Sequence, residues 1–358
     1  MNSKFVISSP PAVNIFYNCY LVKTKNGFRV FDKNLNPISV SLTYRGGAGY
    51  RSIPVIREKD KLAYVEICSP RGSNTKKWVE WSELPNLKNK LCTKKIDSLF
   101  FMLPLHNEFG HALTEGLSRF WPLVFGGLPD VQFVFNGVYS DKNKEIAKVF
   151  WKAFGQEDSF EAKNLGSNNH LCVFKVDKIY IPEPGLHLCG VYNEVMGDVW
   201  ESIVASCVPS RSTQKSGEAQ KRIYLSRRKV GKRVCLDEDV LESIFIKNGF
   251  EVVFPEMLSF EEQVFLVNKS DVVAGLSGSA LHLSQFMKER SKLIALTPVG
   301  HVMPDLAPVS KIKNIDLLYL IGGDADTAKY SKDAEFEFLD AACTSDFVSK
   351  KIKSFIEE

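Results

Sequence analysis

The chain has 358 residues, of which 44% are hydrophobic and 25% are charged. This composition is ordinary for a globular protein, and the length suggests about two domains. The net charge of +4 is mild, and the basic residues form no stripe with interleaved aromatic residues, which excludes nucleic acid as an expected partner. The charge balance suits an anionic small ligand or a loose association with an anionic membrane surface equally well.

The apolar runs and the cysteines predict where the protein resides. The longest apolar runs, residues 99–105 and 317–321, are far shorter than the roughly 20 residues of a membrane span, and the first residues lack the apolar region of a secretory signal. The eight cysteines form no CxxC pair, and most adjoin apolar residues, which favours reduced core thiols. We therefore expect a cytoplasmic location, free or peripheral at the inner face of the membrane.

The first half of the chain changes pattern near residue 90. Before it, strands at 16–23 and 28–32 flank Asn26-Gly27, a dipeptide favoured in tight hairpins. After it, strands alternate with helices, which predicts a mostly parallel sheet. The predicted elements are strands 96–103, 131–135 and 178–181 and helices 107–125, 142–154 and 191–207. We assign residues 1–208 to an N-terminal domain, β-rich over 1–90 and α/β over 91–208.

A polar segment separates this domain from a second one. Residues 209–221 contain no large hydrophobic side chain, as expected of a linker. The predicted strands beyond it are 222–226, 251–254, 271–276 and 292–297, and the predicted helices are 238–247, 260–268 and 280–288. This alternation predicts a doubly wound domain over 222–335. An amphipathic helix over 344–358, with Thr344 or Ser345 as its N-cap, is expected to pack back on the N-terminal domain.

Two α/β halves joined by a linker favour a cleft, and open α/β sheets bind ligands at the carboxyl ends of their strands. The first strand of the second half leads directly into Arg227, Arg228 and, shortly after, Arg233. Guanidinium groups there can fork onto phosphate oxygens and neutralise a diphosphate. An exposed basic turn is the alternative.

A loop of small residues follows the third strand of the same half. It reads Gly275-Leu-Ser277-Gly278-Ser279, and a helix is predicted to start at once. Small residues let a ligand approach the backbone, and the N–H groups of a helix start attract anions. Ser279 as a helix N-cap, with Gly278 easing the turn, is the alternative. Together with the arginines, the loop predicts a two-sided diphosphate clamp.

The strand between these two ends in Pro255-Glu256. Glu256 is a candidate acceptor for a ribose or sugar hydroxyl, and Gln263, one turn into the next helix, is a candidate contact for donor or base. Ser259 and Glu262 also have the spacing of a capping box, which explains those two residues better than ligand binding does.

The predicted helix from Asn107 carries His111, Glu115 and Arg119 at intervals of four residues, which places all three on one face. His111 or Glu115 is a candidate base for an attacking hydroxyl, and Asn107 and Arg119 are candidate acceptor contacts. A solvated face with a Glu115–Arg119 salt bridge is the alternative.

Two carboxylate strings have the DxD pattern that holds a divalent cation in some sugar transferases, namely Asp237-Glu-Asp239 and Asp324-Ala-Asp326. The first is better explained by acids that open a helix, and the second lies in a polar turn. We expect no metal site. The small-residue loop also lacks the final glycine of a hydrolase nucleophile elbow.

These motifs resemble glycosyltransferase family 61. The matching segments are Arg222-Ile-Tyr-Leu-Ser-Arg-Arg228, residues 249–256, residues 258–263, Gly275-Leu-Ser-Gly-Ser-Ala-Leu281 and the helix from Asn107. Members commonly have a His-Gly-Ala or His-Gly-Ser sequence where this chain has residues 276–279, and an Asn-Glu pair where it has Asp237-Glu238, so the chain departs from the pattern at both places.

The resemblance covers roughly residues 95–300 and implies an α/β protein of GT-B type, with two facing Rossmann-like halves. The β-rich first 90 residues lie outside the match and are expected to form an N-terminal extension. It also implies an inverting, metal-independent transfer of a sugar from a nucleotide-sugar donor to a hydroxyl of a surface polysaccharide, a related glycan or a lipid-linked glycan. Arg227, Arg228 and residues 277–279 would hold the donor, and His111 and Glu115 would lie at the reaction centre. A non-catalytic nucleotide-sugar-binding module and a phosphosugar or nucleotide hydrolase are the alternatives.

Overall fold

A computed structural model of the chain divides into two compact units, Ile7–Met196 and Gly197–Glu358 with Met1–Val6. The division falls within a helix, Val195–Cys207, and so precedes the predicted boundary after residue 208. The structure describes residues 6–24, 27–34, 38, 57–58, 61–64, 77–80, 95–101, 109–126, 132–134, 141–156, 172–187, 190–209, 221–299, 301–323 and 335–358. Most of the predicted linker, Asn107 and the Asp324–Asp326 string lie outside these residues.

The described strands are β1 Val6–Ile7, β2 Val13–Thr24, β3 Gly27–Phe31, β4 Arg57–Glu58, β5 Lys61–Tyr64, β6 Lys77–Glu80, β7 Lys95–Phe101, β8 Gln132–Val134, β9 Cys172–Pro182, β10 Tyr192–Asn193, β11 Arg222–Leu225, β12 Val234–Cys235, β13 Glu251–Val253, β14 Val272–Leu276, β15 Lys292–Pro298, β16 Asp316–Gly322 and β17 Glu335–Phe336. The described α-helices are α1 Phe109–Leu113, α2 Trp121–Val124, α3 Asp141–Ala153, α4 Val195–Cys207, α5 Glu238–Lys247, α6 Phe260–Lys269, α7 Leu306–Lys313 and α8 Ser345–Glu357. No helix among the described residues is both long and apolar enough to cross a membrane.

The main sheet of the N-terminal unit is mixed, in the order β3-β2-β9-β7-β8. Strands β8, β7 and β9 are parallel, as the alternating pattern predicts, but β9 pairs antiparallel with β2, and β2 with β3. The hairpin predicted from Asn26-Gly27 is therefore part of the α/β sheet, which corrects the expectation of a separate β-rich region for these two strands. Alternate residues of β2, Cys19 and Leu21, pack with Val176 and Ile179 of β9 in one core.

The helix predicted over 107–125 is broken, which corrects that prediction for its described part. Helix α1 ends at Leu113, turns follow, and α2 begins at Trp121. Pro122 has no backbone N–H, so it cannot donate to the carbonyl of Ser118 as a continuous helix would require. That carbonyl accepts instead from the N–H of Gly185 at 2.5 Å.

The main sheet of the C-terminal unit is fully parallel, in the order β13-β11-β14-β15-β16. Its central strand β14 is buried along its whole length, as expected of a sheet covered on both faces. This order agrees with the doubly wound arrangement predicted over 222–335, because β13 lies on one side of β11 and β14, β15 and β16 lie on the other. Helix α7 and strand β16, which continue the same pattern, have no counterpart among the predicted elements.

One predicted helix of this unit needs correction. The helix predicted over 280–288 is a 3-10 helix, Ser279–Phe286, and Gly278 holds its N-cap position in place of Ser279. Helix α8 has a predicted N-cap, Thr344. Its buried residues Val348 and Ile352 belong to the core of the C-terminal sheet, and its packing on the N-terminal domain stays a prediction.

Candidate active site

The carboxyl ends of β11 and β14 mark the topological switch point of the C-terminal sheet. Of the five strands of this sheet, β11 comes first along the chain, but it lies between β13 and β14, which come second and third. The connections that leave β11 and β14 therefore run toward opposite edges of the sheet. In open parallel sheets of this order, ligands bind at this point. Two segments leave it, which we name the arginine loop (residues 226–233) and the small-residue loop (residues 277–279).

Arg227 joins these two loops. Its Nη1 donates a hydrogen bond to the carbonyl oxygen of Ser277 at 2.8 Å, and its Nη2 donates to the carbonyl oxygen of Lys232 at 3.1 Å. A guanidinium group has five N–H donors in a rigid fork, so these two bonds leave capacity for anion oxygens. The structure thus brings together the two loops that the sequence predicted to act as a pair.

Gly278 lets this guanidinium lie directly against the small-residue loop. Its backbone is extended, with φ 164° and ψ −178°, so the conformation itself does not require glycine. A Cβ at this position would overlap Nη1 of Arg227 and lie 3.0 Å from its Cζ. The N–H of Gly278 donates to Sδ of Met303 at 3.1 Å, and a thioether is a weak acceptor. An anion oxygen would be a stronger partner for this N–H.

Ser277 supplies backbone to the site more than side chain. Its Oγ lies 2.9 Å from Oγ1 of Thr297, and its N–H donates to Leu296. The hydroxyl is therefore engaged with the neighbouring strand β15. Its carbonyl oxygen is the atom that holds Arg227. Ser279 is half-buried and begins the 3-10 helix.

Arg228 is exposed and paired with a buried carboxylate. Its Nη2 lies 3.0 Å from Oε2 of Glu242, and the two side chains are 54% and 8% exposed. Oε1 of Glu242 accepts from the hydroxyl of Ser226 at 2.7 Å, and the same hydroxyl accepts from the N–H of Arg228 at 3.2 Å. One carboxylate therefore holds both ends of the Ser226–Arg228 segment.

A second carboxylate, that of Glu238, lies one helical turn before Glu242 on α5. Oε1 of Glu238, the first residue of α5, accepts from the N–H of Arg227 at 2.6 Å. Burial raises the pKa of Glu238, while the N–H and the charge of Arg227 oppose that rise. Burial, together with the nearby charge of Glu238, also raises the pKa of Tyr224, whose hydroxyl is 3.5 Å from Glu238.

The loop that follows β15 also belongs to this region, although none of its residues was predicted to be part of the site. Met303 contacts Gly278 as described, and its carbonyl oxygen accepts from the hydroxyl of Tyr319 at 2.7 Å. Burial, with a smaller contribution from the positive charge of Arg233, lowers the pKa of His301. Arg233 has a left-handed backbone, φ 52°. The position of this segment after a parallel strand was the signal that could have found it.

Glu256 and Gln263 lie at the carboxyl end of β13. Glu256 is half-buried in a 3-10 turn, Pro255–Met257. Gln263 is buried, and its Nε2 donates to the carbonyl oxygens of Pro255 and Leu258. Its amide nitrogen therefore braces the local turn. The capping box of Ser259 and Glu262 is confirmed.

In the N-terminal unit, His111 and Glu115 form a close pair. Nδ1 of His111 lies 2.6 Å from Oε2 of Glu115, and the side chains are 18% and 4% exposed. Helix α1 carries His111 after the carboxyl end of β7, one of the parallel strands. The pair therefore combines a reachable imidazole with a buried carboxylate that can hold one tautomer of it.

Arg119 does not share a helical face with this pair, because α1 ends before it. Its side chain is buried, and its Nη1 donates to the carbonyl oxygen of Pro182, the last residue of β9. Burial lowers the pKa of Arg119 to about 9, while the charge of Glu183 opposes that effect. Trp121 donates to the carbonyl oxygen of Glu183 at 2.9 Å. These contacts bind the broken helix to the end of β9.

In the first carboxylate string, Asp237-Glu-Asp239, Asp237 is bound to backbone N–H groups of the fold. Asp237 occupies the N-cap position of α5, but its side chain makes no capping bond. Its carboxylate accepts instead from the N–H groups of Phe338 and Leu339, at 2.9 and 2.7 Å. Within the part of the chain that the structure describes, no three His, Cys, Asp or Glu side chains are grouped as they would be to hold a metal ion.

Comparison with known proteins identifies the family. The family model described as Glycosyltransferase 61 matches residues 109–294, just over half of the chain. The match includes the His111–Glu115 pair, the arginine loop and the small-residue loop. No curated protein matches the whole sequence or a part of it. With a family match of this extent over both candidate sites, the chain belongs to glycosyltransferase family 61.

Proposed function

We propose that this glycosyltransferase moves a sugar from a nucleotide-sugar donor to a hydroxyl of a surface polysaccharide, a related glycan or a lipid-linked glycan, in one displacement with inversion at the anomeric carbon. The observation that carries the donor assignment is the contact of Arg227 with Ser277 at the switch point of a doubly wound sheet. Diphosphate-bearing ligands are the kind that such a site accommodates.

The leaving group of the proposed reaction is a nucleoside diphosphate, which gains negative charge as the glycosidic bond breaks. In this proposal Arg227 and Arg228 are the cations that offset that charge, and the N–H of Gly278 is the backbone donor beside Arg227. Donors fixed in advance stabilise developing charge without reorganisation. In this proposal the guanidinium groups supply the positive charge, and no metal ion takes part.

The acceptor hydroxyl must lose a proton as it attacks. We assign its removal to His111 and not to Glu115, because the imidazole is the more exposed of the two side chains. Glu115 accepts from Nδ1 and leaves Nε2 as the basic atom. It also stabilises the imidazolium ion that forms, as the carboxylate of a catalytic triad does.

We also propose a cytoplasmic location, with peripheral binding at the inner face of the membrane when the acceptor is lipid-linked. The net charge of +4 supports the peripheral binding, because basic residues are attracted to anionic lipid headgroups. A flotation assay with vesicles of anionic and of zwitterionic lipids would test this part on its own.

The donor assignment is tested most directly by thermal shift. The protein would be screened against UDP, GDP, CDP and ADP, and against the corresponding monophosphates. A ligand that binds only the folded state raises the melting temperature, and we expect at least one diphosphate to do so more strongly than its monophosphate. If none of the eight nucleotides stabilises the protein, the diphosphate site is wrong.

Gly278→Ala is expected to weaken nucleoside diphosphate binding by about 10-fold, the equivalent of one charge-assisted hydrogen bond. The added methyl group would occupy the position of Nη1 of Arg227 and displace the guanidinium group. Isothermal titration of the diphosphate measures the change. Because the backbone of Gly278 is extended, the substitution adds no backbone strain, and we expect thermal stability to fall by no more than the two displaced hydrogen bonds of Arg227 contribute. A variant with unchanged affinity would contradict the placement of the ligand beside Arg227.

A further inference from the structure

Glu238 and Glu242 are buried carboxylates beneath the arginine loop. They lie four residues apart on α5, and their residues are 2% and 6% exposed. Such spacing places both side chains on one face of a helix. Burying an ionised carboxylate costs free energy unless hydrogen bonds and opposite charges compensate for it. The hydrogen-bond and charge partners of Glu238 and Glu242 therefore indicate which part of the structure these two carboxylates stabilise.

The structure gives three partners within 3.0 Å of the carboxylate oxygens of Glu238 and Glu242, and all three belong to the segment from Ser226 to Arg228. Glu238 accepts from the N–H of Arg227, while Glu242 accepts from the hydroxyl of Ser226 and pairs with the guanidinium group of Arg228. The two carboxylates thus fix the backbone of the loop at Arg227 and the side chain at Arg228. The guanidinium group of Arg227 contacts neither carboxylate in these bonds and donates instead to the carbonyl oxygen of Ser277 in the small-residue loop.

We propose that Glu238 and Glu242 are positioning residues for phosphate binding, which hold the arginine loop in its binding conformation before the donor arrives. The inference rests on the proposed function of the site. A loop ordered in advance loses less conformational entropy when it binds, so affinity rises without a new contact to the ligand. The carboxylates act through Arg227 and Arg228.

Stability and binding should respond differently when these charges are removed. Burial raises the pKa of Glu238, so folding disfavours its ionised form. A carboxyl whose pKa is higher in the folded state destabilises the fold above that pKa, and the cost is relieved as the pH falls through it. Glu238→Gln is therefore expected to keep or raise the melting temperature at pH 7 while it weakens phosphate binding.

The test compares Glu238→Gln and Glu242→Gln with Asp239→Asn. Asp239 lies in the same helical turn but is exposed, so its variant controls for the loss of one negative charge near the site. Affinity would be measured by isothermal titration with the one of UDP, GDP, CDP and ADP that stabilises the wild-type protein most. The corresponding nucleoside, which lacks phosphate, is the second ligand.

We expect each glutamine variant to bind the diphosphate about 10-fold more weakly and the nucleoside within about 2-fold of the wild type. Asp239→Asn should match the wild type with both ligands. Equal losses for diphosphate and nucleoside would reveal a merely structural role and overturn the inference, as would unchanged diphosphate affinity.

A milder variant covers the case in which a glutamine variant does not fold. Ser226→Ala removes the hydroxyl that links Glu242 to the N–H of Arg228, and we expect it to weaken diphosphate binding about 3-fold. Retained affinity in Ser226→Ala would then overturn the inference. If Arg227→Ala loses affinity while the carboxylate variants keep it, positioning is wrong but the proposed donor site stands. A wild-type protein that binds none of the four diphosphates overturns both.

Discussion

Replacing His111 with alanine is expected to lower the turnover number by about 10²–10⁴-fold, the usual range for a lost general base. Donor binding should be preserved, because His111 lies in the N-terminal unit and the residues proposed to bind the diphosphate lie in the C-terminal one. The measurement is steady-state transfer to a glycan acceptor, with titration of the nucleoside diphosphate in parallel.

Glu115→Gln separates the two members of the pair. The amide oxygen can still accept from Nδ1 of His111, but the negative charge that stabilises an imidazolium ion is gone. We therefore expect a smaller loss of turnover than for His111→Ala, about 10–100-fold. Glu145→Gln, an exposed carboxylate of α3, is the matched control. If His111→Ala keeps wild-type turnover, another group removes the proton and the assignment is wrong.

The same pair of measurements distinguishes an enzyme from a binding module. A non-catalytic nucleotide-sugar-binding protein would bind donor and turn none of it over, in the wild type and the variants alike. A hydrolase would consume the donor in the absence of acceptor. Acceptor-dependent release of nucleoside diphosphate that disappears in His111→Ala is the result expected of the proposed transferase.

Arg227→Ala is expected to weaken nucleoside diphosphate binding by about 100-fold. In the proposed binding mode the substitution removes a charge-assisted contact to phosphate, for which the typical contribution is about 1.5–3 kcal/mol. It also removes the bonds that join the arginine loop to Ser277 and Lys232. Arg227→Lys should fall between alanine and wild type, because an ammonium group keeps the charge but lacks the planar fork.

Arg290→Ala is the control for this prediction. Arg290 is an exposed arginine of the same unit, but it precedes β15 and so lies at the amino end of the parallel sheet. Its loss changes the net charge equally and should leave the affinity within about 2-fold of the wild type. An equal effect from both variants would mean that general electrostatic attraction, and not a fork at the switch point, determines binding.

The elements of the C-terminal sheet were predictable because each is a local pattern. Short runs of buried residues bounded by polar turns identify parallel strands, and β11, β13, β14 and β15 lie within one residue of their predicted bounds or coincide with them. A capping box and a helix N-cap depend on residues three apart in the chain. Those of α6 and α8 were therefore also predictable.

Pairing between distant strands was not predictable in the same way. The sequence predicts that β2 and β3 form a hairpin, but the attachment of β2 to β9 joins residues that are 149 to 169 positions apart. Nothing local in either strand specifies its partner. Pro122 explains locally why the carbonyl of Ser118 has no donor within a helix, but that carbonyl accepts from Gly185, which is distant in the chain.

By itself, the sequence determined the α/β class of the C-terminal half, the resemblance to its family and the two segments proposed to carry the chemistry, because all three reside in short motifs. Only the tertiary structure decided which of these side chains contact each other. It showed that Arg227 bridges two loops, that Arg228 is paired with Glu242, and that Glu115 contacts His111. Those contacts depend on burial and on how the chain folds, and a linear pattern of residue types contains neither.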